Sequence, residues 1–262
     1  MLRKVATTAA HETRTAFRAW LTNQIRKELG VSDTELDTLR YDKDRTRAQR
    51  LLLLMNVETM GQMNVETKGQ QLNREARYPF AAHHTLRWSV EHIHAQQAPE
   101  LNRIKQWQAW IDEHKPAVEA VPDTDDRKAL LDRIKLWTHS TSSRSPSGPD
   151  FKDLARSILT FLAAPDDEGS DDEMHGLGNL ALLSSEENTR LGNSAFEMKR
   201  RKIIEEDRKG TYIPIRTRNV FLKYYSDPDG LQPHYWSARD RKTYLAQIRV
   251  IIGEYLKKEA HS

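Results

Sequence analysis

Hydrophobic positions recur at helical spacing along most of the chain. Phe17, Leu21 and Ile25 fall four residues apart in a stretch free of Pro and Gly. That predicts one helix over residues 2–29, ended by Gly30 at a C-cap. Ser32 and Glu35 have capping-box spacing and open a second, shorter helix. Asp44 to Met55 reads as a third, in which Leu51 to Met55 is apolar on every side and therefore buried. Farther on, Ile104, Trp107 and Ile111 mark a helix from Glu100 that ends before Pro116. Leu130, Ile134 and Trp137 mark one that opens at Thr124 or Asp125, and Leu154, Ile158 and Leu162 one over residues 151–163. Tyr244, Ile248, Ile251, Ile252 and Tyr255 line a last helix, capped by Ser237 and Asp240.

Strand-like patterning is confined to a few short runs. In the first, Trp88, Val90, His92 and His94 share one face, and Ser89, Glu91 and Ile93 the other. The second is Gly178-Asn179-Leu180-Ala181-Leu182-Leu183. Residues 211–215 read as extended, with Pro214 placing them at an edge or a strand end, and Val220 to Tyr225 as a short helical segment. Residues 139–149, rich in Ser, Pro and Gly, predict a mobile loop, and Asp227 to Gly230 a turn. Asn56-Val-Glu-Thr-Met-Gly-Gln-Met63 is nearly repeated by Asn64-Val-Glu-Thr-Lys-Gly-Gln-Gln71. Two copies of so short a unit do not make a solenoid, and we read them as a local duplication in a loop. No regular strand–helix alternation exists, which argues against a doubly wound sheet. The fold class expected is α+β and mostly helical.

With 262 residues, the chain is long enough to bury a sizeable core, as one large domain or two small ones. It has no cysteine, which excludes disulfides and Cys-based zinc sites and fits a cytoplasmic protein. No run reaches the length of a membrane span, and the N-terminus lacks the apolar segment of a secretory signal. Net charge is only +3, so any nucleic-acid footprint must be local. The charge is segregated: Lys199-Arg200-Arg201-Lys202 is basic and residues 166–173 are acidic.

The chemistry-bearing residues lie on the two strand-like runs and just beyond. Phosphodiester hydrolysis needs a base to activate water, charge stabilisation at the phosphate and a group that orients the base. His92 suits the base, because its unperturbed pKa is near neutrality. Glu91 precedes it and can approach a metal where the strand twists. Asn179 offers an amide oxygen to the His92 Nδ1–H. Asn188 offers a neutral oxygen suited to a hard cation such as Mg²⁺ or Mn²⁺. On the helix after Asn188, Phe196, Ile203 and Ile204 define the apolar side, with Arg200 amid it and Lys199 at its edge. A cation there needs a partner, either phosphate or an acid in the core. His83, His84, His114 and His139 belong to no constellation and read as surface or packing residues. A strand with acid–His, a second strand with Asn, then Asn and a helix is the order of parts in a ββα-metal (HNH) nuclease.

Val90-Glu91-His92-Ile93-His94-Ala95-Gln96, His175-Gly-Leu-Gly-Asn-Leu-Ala-Leu-Leu183, Asn188, Gly192-Asn193, Phe196 and Lys199-Arg200 together resemble the C-terminal HNH-type nuclease domain of the GmrSD-like (type IV restriction) family. Residues 213–225 and the Trp236, Asp240, Tyr244 pattern are similar to that family's C-terminal part. The resemblance covers roughly residues 77–258 and implies a metal-dependent DNase acting in defence against phage or foreign DNA. It implies His92 as base, Glu91 and Asn188 at a Mg²⁺ or Mn²⁺ ion, and Asn179 as the orienter. Lys199, Arg200, Arg201 and Lys202 are the expected DNA contacts. Here the last position of the HNH pattern is Asn188 rather than His. His175 lies in the matching segment without an assigned role. Members of the family also carry an N-terminal ParB-like nucleotide-binding domain, which this chain lacks, so such a domain or a partner subunit is an expected partner. The organisation expected is an N-terminal helical region, 1–76, then a nuclease domain, 77–262. The latter carries a helical insertion at about 97–173 between its strands. Two other readings compete: a non-catalytic helical module that binds nucleic acid or a partner through the basic helix, and a small-molecule phosphodiesterase using His92 and His94 as an H-x-H metal pair.

Overall fold

The computed structural model describes residues 2–63, 77–94, 100–143, 147–163, 171–226 and 234–257. The second copy of the near repeat, most of the acidic block, the 227–230 turn and Ala95-Gln96 fall outside these residues. The chain is mostly helical, with one small antiparallel sheet.

Helices α1 (Leu2–His11) and α2 (Arg14–Leu29) replace the single helix expected over 2–29. Thr13 caps α2, its side chain accepting from the Ala16 N–H, and this local bond competes with helix continuation. Gly30 ends α2 in the left-handed conformation, φ 62°, as expected. Ser32 and Glu35 form the full capping box of α3 (Asp33–Thr38). Helix α4 (Arg45–Gln62), capped by Asp44, runs on through the first copy of the near repeat, which is therefore not a loop. Two buried polar side chains donate within the helix, Asn56 Nδ2 to the Leu52 carbonyl and Thr59 Oγ1 to that of Met55.

Helix α5 (Phe80–Thr85) starts directly after Pro79 and leads into β1 (Trp88–His92). Three long helices follow: α6 (Ile104–Ala120), α7 (Asp125–Ser143) and α8 (Gly148–Phe161). Pro116 lies inside α6 rather than beyond it. It is exposed, as is Asp112 one turn earlier, whose carbonyl loses its helical donor to the proline. The loop expected over 139–149 is largely helical, since α7 reaches Ser143 and Ser147 caps α8. These helices share a core of Trp107, Trp110, Ile111, Ile134, Phe151 and Ile158, extended by Ala195 and Met198.

Helix α9 (Asp171–His175) and a 3-10 turn (Leu177–Asn179) deliver the chain to β2 (Leu180–Ser184). β2 pairs antiparallel with β1, His92 facing Leu180 and Trp88 facing Ser184. Helices α10 (Ser185–Leu191), α11 (Phe196–Arg208), α12 (Ile215–Phe221) and α13 (Ala238–Ile252) complete the chain. Residues 211–214 do not add a strand. Pro214 opens α12, which covers β2, with Thr217 Oγ1 donating to the Leu182 carbonyl at 2.6 Å. Helix α13 presses on the 3-10 turn so closely that a Cβ at Gly178 would stand 2.7 Å from the Arg241 carbonyl oxygen. The main core joins Val31, Leu51, Met55, Val90, the apolar residues of β2, Phe196, Trp236 and Tyr244. Residues of the N-terminal helices and of the sheet thus share one core. Among the described residues, no helix is long and apolar enough to cross a membrane.

Candidate active site

His92 ends β1 and is half-buried. Three elements fix it. Lys199 Nζ, from α11, donates to the His92 carbonyl at 2.6 Å. His175, at the end of α9, sets its Nδ1 3.3 Å from His92 Nε2, the two rings near perpendicular. Tyr41 meets the His92 ring edge-on, centroids 5.3 Å apart, and its N–H donates to the His175 carbonyl at 2.9 Å. Burial, with the Lys199 cation and His175 adding to it, pushes the His92 imidazole down to about 4, against a weaker opposing pull from Asp42. His92 is therefore neutral at pH 7 and keeps one unprotonated ring nitrogen. Asp42 is gripped by the Arg40 guanidinium through two 2.9 Å hydrogen bonds, which hold its carboxyl down to about 2.

Asn179 is on the 3-10 turn, not the strand, and it does not orient the His92 ring. Its Oδ1 accepts from the His94 N–H at 3.0 Å, and its Nδ2 donates to the carbonyls of His94 and Met174. With the Ile93 N–H donating to the Asn179 carbonyl, it clamps the backbone just past His92. The ring against His92 Nε2 belongs to His175, which the sequence had left without a role; its place four residues before Asn179 was the available signal. Tyr41 and Asp42 were missed altogether. No local motif marks them, and only the docking of the 40–42 turn, through the Arg40–Gly176 bridge, brings them in.

Glu91 is buried on the opposite strand face and ion-paired with the equally buried Lys199. Burial pushes the Glu91 carboxyl up and the Lys199 ammonium down, and each charge partly offsets the shift of the other. Asn188 is on α10, at the other end of β1, donating to Ser89 Oγ at 2.7 Å. Glu91 and Asn188 thus do not meet around a cation site, and no three His, Cys, Asp or Glu among the described residues form a metal cluster. The side chains as placed do not fit the Mg²⁺ or Mn²⁺ that the resemblance implies.

No protein family, curated protein or solved structure matches this chain.

The basic run of α11 is likewise committed internally. Lys199 is 1% exposed. Arg200 and Arg201 pair with buried Glu197 at 3.5 and 2.8 Å, and Lys202 pairs with Glu113 at 2.5 Å. The buried cation of this helix is Lys199 rather than Arg200, and its partner is an acid in the core. His114, read as a surface or packing residue, is a fully buried link. Its Nδ1–H donates to the Trp110 carbonyl and its Nε2 accepts from the Ala195 N–H at the start of α11.

Proposed function

We propose that this chain hydrolyses DNA phosphodiester bonds as a nuclease of the HNH type, with His92 accepting the proton of the attacking water. The observation that carries the reading is the placement of His92: it ends β1, its carbonyl is held by Lys199 of α11, and its ring lies against His175 and Tyr41. A base must be unprotonated and fixed in position; His92 is fixed, and burial favours its neutral form while lowering its basicity. His175 and Tyr41 limit its rotation, and Asn179 fixes the chain immediately beyond it. The non-catalytic alternative relied on a free basic helix, and the pairing of Arg200, Arg201 and Lys202 with acids argues against it.

The test is incubation of the pure protein with supercoiled plasmid, in Mg²⁺, in Mn²⁺ and in EDTA. Nicked or linear product in any arm supports the reading. Intact plasmid in all arms, with protein shown to be folded, overturns it. Cleavage that survives EDTA agrees with the side chains as placed, whereas cleavage confined to the metal arms requires Glu91 and Asn188 to rearrange.

A further inference from the structure

If α11 does not present free cations to DNA, phosphate must be held elsewhere. The segment packed over His92 comes from the N-terminal helices. It runs from the Arg40 bridge to Gly176, through Tyr41 against His92, into the first turn of α4. Residues 40–47 carry four cations, Arg40, Lys43, Arg45 and Arg47, and two acids, Asp42 and Asp44. Each acid is taken: Asp42 by Arg40 and Asp44 by Arg47, at 2.9 and 3.1 Å. Lys43 and Arg45 are exposed and have no acidic partner among the described residues. Glu173, two residues before His175, is already paired with Arg241 at 3.0 Å.

Arg45 has a further feature. Its guanidinium carbon lies 5.4 Å from the centroid of the Tyr41 ring, the ring that meets His92 edge-on at 5.3 Å. A guanidinium over an aromatic face is held by the ring and keeps its in-plane N–H donors for a planar or tetrahedral anion. One aromatic side chain thus bridges a free cation and the imidazole.

We infer that Lys43 and Arg45, on the N-terminal segment that packs over His92, form the surface that holds the DNA phosphate backbone beside the reacting bond. This rests on the nuclease reading of His92. It goes beyond it by assigning substrate binding to residues outside the 77–258 stretch that carries the resemblance. The nuclease site is then completed by the 40–45 segment.

The experiment measures binding of a fluorescein-labelled DNA duplex to the full chain by anisotropy, across a KCl series, with plasmid cleavage run in parallel. Three proteins are compared: the unaltered chain, Lys43→Ala/Arg45→Ala and Arg201→Ala/Lys202→Ala. Each phosphate contact contributes about 0.9 to the slope of log affinity against log salt. The Lys43/Arg45 pair should lower that slope by nearly two, and the Arg201/Lys202 pair should leave it unchanged. Tyr41→Leu should also weaken binding at low salt by releasing Arg45. A chain that cuts plasmid while the Lys43/Arg45 pair keeps the full slope overturns this inference and leaves the nuclease reading standing. A chain that neither binds nor cuts overturns both.

Discussion

Replacing Lys199 by Met removes the cation from a site where both partners are buried, Lys199 at 1% and Glu91 at 7% exposure. The Met side chain refills most of the volume, so the effect is electrostatic. It strands the Glu91 carboxylate and removes the charged donor to the His92 carbonyl. Breaking a buried ion pair from one side costs about 3–5 kcal/mol, a large part of the stability of an ordinary domain. Replacing both partners, as in Lys199→Met/Glu91→Gln, removes the orphaned charge and should recover at least about half of that loss. The sign with pH follows from the same pair. Lys199 is what holds the Glu91 carboxyl down against burial, so the single variant lets it rise further above its ordinary value of 4.5. Above pH 4.5 the unfolded chain ionises that group and the folded chain resists, so the deficit of Lys199→Met grows as pH rises from 4.5 towards 7. Urea unfolding at pH 4.5 and 7, at unchanged denaturant slope, measures both effects. A loss below about 1 kcal/mol, or a double variant no more stable than the single one, refutes the buried-pair argument.

Other consequences can be checked on the same preparations. His92 and His114 are both held down to about 4, so between pH 6.5 and 4 the unfolded chain takes up protons that the folded one refuses. Thermal stability should therefore fall as pH drops through that window, and less steeply in His114→Leu; an equal slope in that variant would count against the assignment. Asn179→Ala should cost at least about 2 kcal/mol in urea unfolding, from buried groups left without partners, and near wild-type stability would contradict the clamp. Asn179→Asp should not restore it, because a carboxylate oxygen would face the carbonyls of His94 and Met174. Gly178→Ala should lose about 1–3 kcal/mol by forcing α13 off the 3-10 turn, and an unchanged unfolding midpoint would show that the contact can relax.

What the sequence made legible was what local chemistry controls. The capping boxes at Ser32 and Ser237, the Gly30 cap and the apolar stripe of the last helix all lie in short windows, and each is present. The antiparallel pairing joins the two strand-like runs singled out by their patterning. Errors arose where a distant contact overrode local preference. The Asn-Val-Glu-Thr run looks like a loop until Asn56 Oδ1 accepts from the Arg216 N–H and Thr59 meets Arg216 Nε, contacts from far along the chain. Lys199 was expected at a DNA phosphate, with an acid in the core as the other candidate, and the choice fell to the acid because Glu91 reaches it from a strand distant in sequence. Asn179 was matched to the wrong atom for a related reason: its chemistry, an amide beside a histidine, was legible, but its register put it against His94. Tyr41 could not be found from sequence at all, since an aromatic residue in a charged turn carries no signal until the turn is docked.

The most direct test of His92 as the base is His92→Ala, assayed for plasmid cleavage and normalised to the folded fraction measured by urea unfolding. DNA affinity is measured alongside, because phosphate contacts are made by other residues. Loss of a general base should lower cleavage per folded molecule by about 10²–10⁴-fold, with affinity unchanged. Cleavage per folded molecule close to that of the unaltered chain would make His92 a packing residue and contradict the assignment.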